Sequence, residues 1–232
     1  MNEKHLRGKL QEIYLMHDLN TVCCRQCSCC RVACPQMKYS EALNIIQRIW
    51  EEWTQDDKAK LLSTCIRYFF SRSLIKPCPL LSEKNCRIYE DRPVNCRIYG
   101  LWPKEVYEKR VSGMSRIIDL PAEQIPLNVQ CPHVLRKNEQ SPLTTEQTEQ
   151  IFKALDKLDK DVGKLKDEQL ATYWNYRTLH DWALFIFFGE QWLMNMTHYA
   201  LSAKKEDLDA FLIVLDEQVK LSVGKLEVKK PE

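Results

Sequence analysis

The sequence predicts a mainly α-helical protein in which irregular cysteine-rich loops pack on a helical domain. Glycine is scarce, with 6 in 232 residues, and long stretches repeat apolar residues at helical spacing, which favours helices over strands and turns. Cysteine is abundant, with 11. The segments that concentrate it, 23–35 and 76–100, lack a helical period.

Leu6, Leu10, Ile13, Tyr14 and His17 share one helical face, so a helix is expected from Glu3 to Leu19. Ser40 offers an N-cap for a second helix, with Leu43, Ile46, Ile49, Trp50 and Trp53 as its apolar stripe. Asp56 or Asp57 is expected to cap a third, carrying Leu61, Leu62, Cys65, Ile66, Phe69 and Phe70. Cys65 lies on that apolar face and reads as a small buried hydrophobe. From Lys76 to Gly100, three prolines and three cysteines break the periodicity, so an irregular loop with short turns is expected. Pro103 is placed to open a helix to about Ile117, and Pro121 and Pro126 interrupt the segment after it.

After Ser141-Pro142 the cysteines stop. Thr144 and Gln147 form a capping box for a helix carrying Ile151, Leu155, Leu158 and Val162. A further helix is expected from about Lys166 through His198, with a break near Gly189. A last one carries Leu208, Phe211, Leu212, Leu215 and Val219, and the charged end from Gly224 should fray. The expected division is a cysteine-cluster domain over 1–140 and a helical extension packed on it over 141–232.

With 34 Lys+Arg against 32 Asp+Glu, charge gives no argument for a nucleic-acid partner. No apolar run reaches the ~18 residues of a membrane span, and the polar N-terminus does not read as a signal peptide. The expectation is a cytoplasmic protein. In that reducing compartment, eleven cysteines point to metal or redox chemistry rather than a disulfide scaffold.

The densest stretch places six cysteines within twelve residues: Cys23, Cys24, Cys27, Cys29, Cys30 and Cys34. Thiolates are soft ligands, and such density suits a metal-binding loop. Read from Cys24, the spacing is C-x-x-C-x-x-C-x-x-x-C-P, ending at Cys34-Pro35, which is that of a ferredoxin-type [4Fe–4S] loop. Cys23 and Cys29 are left over in that register. Cys78, Cys86, Cys96 and Cys131 lie farther along, none in a short pair, and suggest ligation shared across the fold. Two four-thiolate sites, or one site with spare thiols, are both compatible with this count. Cys23, Cys27 and Cys30 also fit the C-x-x-x-C-x-x-C spacing of radical enzymes, but no strand–helix alternation comes after them, and the match is taken as accidental.

The segment from Cys78-Pro79-Leu80-Leu81 through Cys86-Arg87-Ile88-Tyr89 and Arg92-Pro93 to Cys96-Arg97-Ile98-Tyr99 resembles the second half of the YkgJ-like cysteine-cluster family, known by its C-x-x-C-x-x-C-C motif. The resemblance covers roughly residues 20 to 135, with Cys131 in place of the family's later lone cysteine. It implies a zinc- or iron-chelating domain. One group resembling the family includes flagellin lysine methylases associated with an iron–sulfur cluster. The first motif departs from the family pattern, since only Ser28 separates Cys27 from Cys29-Cys30. Either Cys24, Cys27, Cys29 and Cys30 are the ligands, or Cys30 is the third and Cys34 the fourth. The second register keeps the standard loop spacing and is preferred.

Arg92 and Arg97 are candidate cofactor-contacting residues. Arginine between thiolates can offset their charge and donate to sulfur, or it can hold loop carbonyls. Arg25 and Arg31 invite the same two readings. Tyr89 and Tyr99 are expected as packing walls. His133 could add a mixed ligand, though a surface or supporting position is the commoner fate. The aromatic stretch Tyr173–Trp192 could line a pocket with His180, Asp181 and Glu190, but a helix packing its aromatics on the cysteine domain is preferred. No nucleotide-binding, hydrolase or zincin motif is present. Zinc accepts four thiolates, usually from paired C-x-x-C knuckles, and only Cys24–Cys27 is such a pair. The ferredoxin-type run tilts the reading to one or two [4Fe–4S] clusters.

The functional expectation is therefore an iron–sulfur protein in a redox or electron-transfer role, with a redox partner protein or a small substrate. The alternatives are an enzyme using the cluster for methyl transfer and a zinc-stabilised interaction module.

Overall fold

The computed structural model describes residues 2–19, 21–23, 28–71, 73–83, 85–125, 129, 131, 134–135, 142–162 and 177–228. The expected Cys24, Arg25, Cys27, Pro126 and His133, the Tyr173–Tyr176 aromatics, and the stretch from Lys166 to Tyr176 lie outside them. The protein is mainly α-helical, with only two-stranded sheets among these residues.

Helix α1 (Glu3–Leu15) buries Leu6, Leu10, Ile13 and Tyr14. It stops short of Leu19 because His17 and Asp18 take left-handed backbone angles, φ 49° and 55°. His17 thereby leaves the apolar face and meets Gln150 at 2.8 Å. A two-residue strand β1 (Val22–Cys23), the short helix α2 (Ser28–Val32) and strand β2 (Gln36–Met37) carry the cysteine stretch.

Helix α3 (Tyr39–Glu52) buries Leu43, Ile46 and Ile49 as expected. Its start is not capped by Ser40, which lies inside it. Two carboxylates satisfy the first amides instead. Glu41 accepts from the Lys38 N–H (3.1 Å), and Asp159, distant in sequence, accepts from the Ser40 (2.8 Å) and Tyr39 (3.3 Å) amides. In helix α4 (Gln55–Phe70) the cap is Thr54, whose hydroxyl accepts from the Asp57 N–H at 3.2 Å. Asp56 and Asp57 occupy the first turn, where negative charge suits the helix dipole.

The segment expected to be irregular folds as a tight hairpin of β3 (Leu81–Ser82) and β4 (Asn85–Cys86), a 3-10 turn over Tyr89–Asp91, and the short helix α5 (Val94–Ile98). Pro103 precedes α6 (Lys104–Ile118). Strand β5 (Val134–Leu135) pairs antiparallel with β1, setting Cys23 opposite Val134.

The capping box of α7 (Thr145–Val162) forms in both directions. The Gln147 N–H donates to Thr144 Oγ1 (3.1 Å) and the Thr144 N–H to Gln147 Oε1 (2.9 Å). The long helix expected to run on to His198 is not continuous. Among the described residues, Arg177–Thr178 form strand β6 against β2, and α8 (Leu179–Phe188) follows directly. Gly189, at φ 86°, separates α8 from α9 (Glu190–Ser202), a conformation that a side chain would strain. Helix α10 (Lys205–Ser222) comes last. The end does not fray at Gly224: the Trp50 indole N–H donates to the Leu226 carbonyl at 3.0 Å.

Helix α8 is apolar nearly all round, and such a helix belongs inside. Leu179, Trp182, Ala183, Leu184, Ile186 and Phe187 are all buried, among α3, α4 and α9. Trp182 donates its indole N–H to the Met37 carbonyl (2.9 Å) and meets Tyr39 edge-on at 5.3 Å. One hydrophobic core runs from Leu6 to Val219, drawing residues from both sides of position 140. Asp181 caps its own helix through Thr178, and His180 is buried in this core. Among the described residues, the aromatic stretch packs inward, and no helix is long and apolar enough to cross a membrane.

Candidate metal centre

Backbone pairing brings the two cysteine-rich segments side by side. Ala33 bridges in parallel to Lys76. The Cys34 N–H donates to the Lys76 carbonyl (2.9 Å), the Lys76 N–H to Val32 (3.1 Å) and the Cys78 N–H to Cys30 (2.7 Å). The Tyr89 hydroxyl accepts from the Cys23 N–H at 2.9 Å, tying β1 to the turn before α5. Gly100 lets Cys131 approach, because an added Cβ would overlap the Cys131 carbonyl.

The product is a cavity of about 150 Å³ lined by Cys23, Cys29, Cys30, Cys78, Cys86 and Cys96. These come from β1, α2, the loop before β3, β4 and α5. The remaining wall is largely apolar and aromatic, including Tyr89, Tyr99, Trp102 and Tyr107, with Gln36, Arg92, Asn95 and Arg110 as its polar members. Among the described residues, no three Cys, His, Asp or Glu side chains stand close enough to make a preformed metal-holding group. Cys29, Cys30, Cys34, Cys78 and Cys96 carry no disulfide.

The sulfurs are electrostatically linked. Cys29 and Cys30 lie 4.0 Å apart, and the hydrogen bond they share lowers the Cys29 thiol to about 6 while raising Cys30. The bond between Cys34 and Cys78 lowers Cys78; Cys34 is raised, first by burial and then by that bond. Burial, then the neighbouring Cys78 and Cys86, pushes Cys96 up. Negative sulfurs gathered away from water repel one another, so protons or a bound cation must compensate. A metal supplies that compensation by displacing thiol protons. The donor set is soft and suits zinc or iron–sulfur chemistry.

Cys34 differs from the others. It is 6 % exposed and does not line the cavity. Its thiol donates to the Pro35 carbonyl at 3.8 Å, and burial keeps it protonated although the Leu179 amide at the start of α8 opposes the rise. It also touches Cys78, which places it behind the cavity wall. Cys131 sits against Tyr99 and Gly100 at the side of the site.

The two arginines hold the loops. Arg92 donates to Tyr89 O (2.9 Å) and Thr21 O (2.7 Å) and lies 3.9 Å above the Tyr89 ring. Arg97 donates to Arg92 O (2.8 Å), Glu90 O (2.6 Å) and Leu19 O (3.4 Å), over the Tyr14 ring at 4.1 Å. The carbonyl-holding reading is thus realised in the hydrogen bonds. The charge-offsetting one acts through space, since Arg92 favours the thiolates of Cys29 and Cys96. Tyr89 and Tyr99 both wall the cavity.

Cys65 is fully buried on α4 and does not line the cavity. Cys65→Ala should leave bound metal unchanged and cost about 1 kcal/mol, the loss of one small buried group. Elemental analysis beside thermal unfolding checks this, and a fall in metal content would contradict the placement.

Sequence reasoning missed Cys23 as a cavity residue; its adjacency to Cys24 was the sole signal. It also missed Glu41 and Asp159, whose roles depend on elements far away in the chain. No protein-family profile, no curated protein and no solved structure matches this chain.

Proposed function

We propose that this protein binds an iron–sulfur cluster in the cysteine-lined cavity and works as a redox protein. The observation that carries the reading is that six cysteines from five segments of the chain line one cavity. Cys29, Cys30, Cys78, Cys86 and Cys96, with Cys23, are the candidate ligands, alongside Cys24 and Cys27 of the ferredoxin-type spacing. Cys34 supports Cys78 from behind. The resemblance of the Cys86–Tyr99 segment to the YkgJ-like family agrees with this assignment. A bound cluster would supply one-electron chemistry. The chain's own part is to gather thiolates, to fix the loops through Arg92 and Arg97, and to keep bulk water out with Tyr89, Tyr99 and Trp102.

A cluster-dependent enzyme is the second reading. It is favoured by the aromatic wall, which extends the cavity beyond the sulfurs through Tyr107, Val111 and Met114 on α6. Anaerobic purification with elemental analysis and a visible spectrum tests the proposal. A brown protein with matching iron and sulfide supports it. A colourless protein holding stoichiometric zinc replaces it with the zinc-stabilised module, and a metal-free folded protein overturns both.

A further inference from the structure

A second concavity, of about 620 Å³, lies beside the first, between α6 and α7. Gln36, Asn95, Trp102 and Arg110 border both. Its volume falls within the range of small-molecule sites, roughly 300–1,000 Å³. Its floor is a pair of stacked rings, Trp102 and Phe152, with centroids 5.5 Å apart and planes 27° from parallel. A flat apolar group extends such a stack.

The charges around this floor are unequal. Lys109, Arg110 and Lys153 line the groove, and Lys38 sits behind it in an ion pair with Asp156. Against the three cations that line the groove stand two carboxylates among the described lining residues, Glu149 and Asp156. Glu149 is already engaged with Lys153 at 3.5 Å. Arg110 lies over the Trp102 ring at 5.6 Å and donates to the neutral Gln36 amide oxygen at 3.2 Å, a bond that a carboxylate could outcompete. Thr145, the first residue of α7, also borders the groove, so the positive end of that helix adds to the same sign.

We propose that this groove binds a small aromatic carboxylate, its ring against Trp102 and Phe152 and its anion at Arg110 and Lys109. A ligand so held lies against the wall shared with the cysteine cavity. The inference concerns binding at the groove and does not depend on which metal the cavity holds.

The test is calorimetric titration of the full chain, as purified, with 3-phenylpropionate, 3-phenylpropan-1-ol and 3-phenylpropylammonium. The carboxylate should bind at least about tenfold more tightly than the other two, the effect of one charge-assisted contact. Arg110→Gln should remove about that tenfold, and the exposed Lys109→Gln a smaller, about threefold part. Unchanged helicity in each variant accompanies the measurement. Absence of saturable binding, equal binding of acid and alcohol, or full affinity for the acid in both variants would overturn the proposal. None of these outcomes bears on metal content, so the proposed metal reading stands or falls separately.

Discussion

If the proposed metal site is present, Cys30→Ser or Cys96→Ser is expected to empty it and to lower the melting temperature by about 10 °C. Both sulfurs line the cavity, and each is wired to the scaffold differently. Cys30 belongs to α2, whose carbonyl end receives the Cys78 N–H. Cys96 sits in α5, between the buried Val94 and Arg97. Serine is nearly isosteric but offers a hard hydroxyl that stays protonated where a thiol would ionise, so it is a poor ligand for a soft metal. Thiolate-bound metals contribute about 10–16 kcal/mol of apparent folding energy in small domains. A larger helical core supports this chain as well, so a loss nearer 4 kcal/mol is the reasonable scale. At about 2–4 °C per kcal/mol for a chain of this size, that is about 10 °C. Metal-to-protein ratio and thermal unfolding, with Cys65→Ala measured alongside, read the two consequences independently. Full metal occupancy in both serine variants would mean that the sulfurs of this cavity are not ligands.

That expectation was partly legible in the sequence, and the division between what was and was not legible has a physical basis. Local devices read well. Thr144 and Gln147 cap a helix because both partners lie within one turn, and Pro103 opens α6 because its fixed dihedral acts on the spot. The cysteine spacings carried the rough position of the centre for the same reason. Tertiary partners did not read. Ser40 looked like a cap until Asp159 supplied the acceptors from the far side of the fold. Arg177–Thr178 are extended because Gln36–Met37 offer a ladder partner, an interaction that no helical period near them records. Cys34 continues the ferredoxin-type run in sequence, yet it is buried outside the cavity lining, with its thiol donating to the Pro35 carbonyl. The groove between α6 and α7 joins residues 36, 95, 102, 110 and 152, a set with no common motif.

Two buried ionisable groups should give this protein a pH response that is hidden until one of them is removed. Glu41 is 1 % exposed and accepts from the Val94 N–H (2.6 Å), the Lys38 N–H (3.1 Å) and the Tyr14 hydroxyl (3.4 Å). Burial raises its carboxyl from 4.5 to about 7; Asp159 adds to the rise, and Arg97 opposes it. His180 is 2 % exposed, with Nδ1 at 2.5 Å from Thr178 Oγ1. Burial lowers it from 6.5 to about 4, aided by Lys76 and opposed by Asp181. Between pH 4.5 and 6.5 the native state holds the proton on Glu41 that the unfolded chain releases, so the Glu41 contribution to stability falls as pH rises. Over the same window the unfolded chain protonates its histidine and the native state does not, so the His180 contribution falls as pH drops. Each is worth about 2 kcal/mol across two pH units, with opposite sign. The wild-type stability should therefore respond little to these two groups. Glu41→Gln keeps an acceptor for Val94 and removes the titration; its stability should fall by about 2 kcal/mol more than the wild type's from pH 6.5 to 4.5. His180→Gln should show the reverse, gaining about as much over the same descent. Slopes of denaturant-derived stability against pH read this directly, and they are insensitive to the constant cost of either substitution. If the Glu41→Gln curve runs parallel to the wild type's, the carboxyl is not held protonated in the folded protein, and its place among Val94, Lys38 and Tyr14 is that of an ordinary ionised cap.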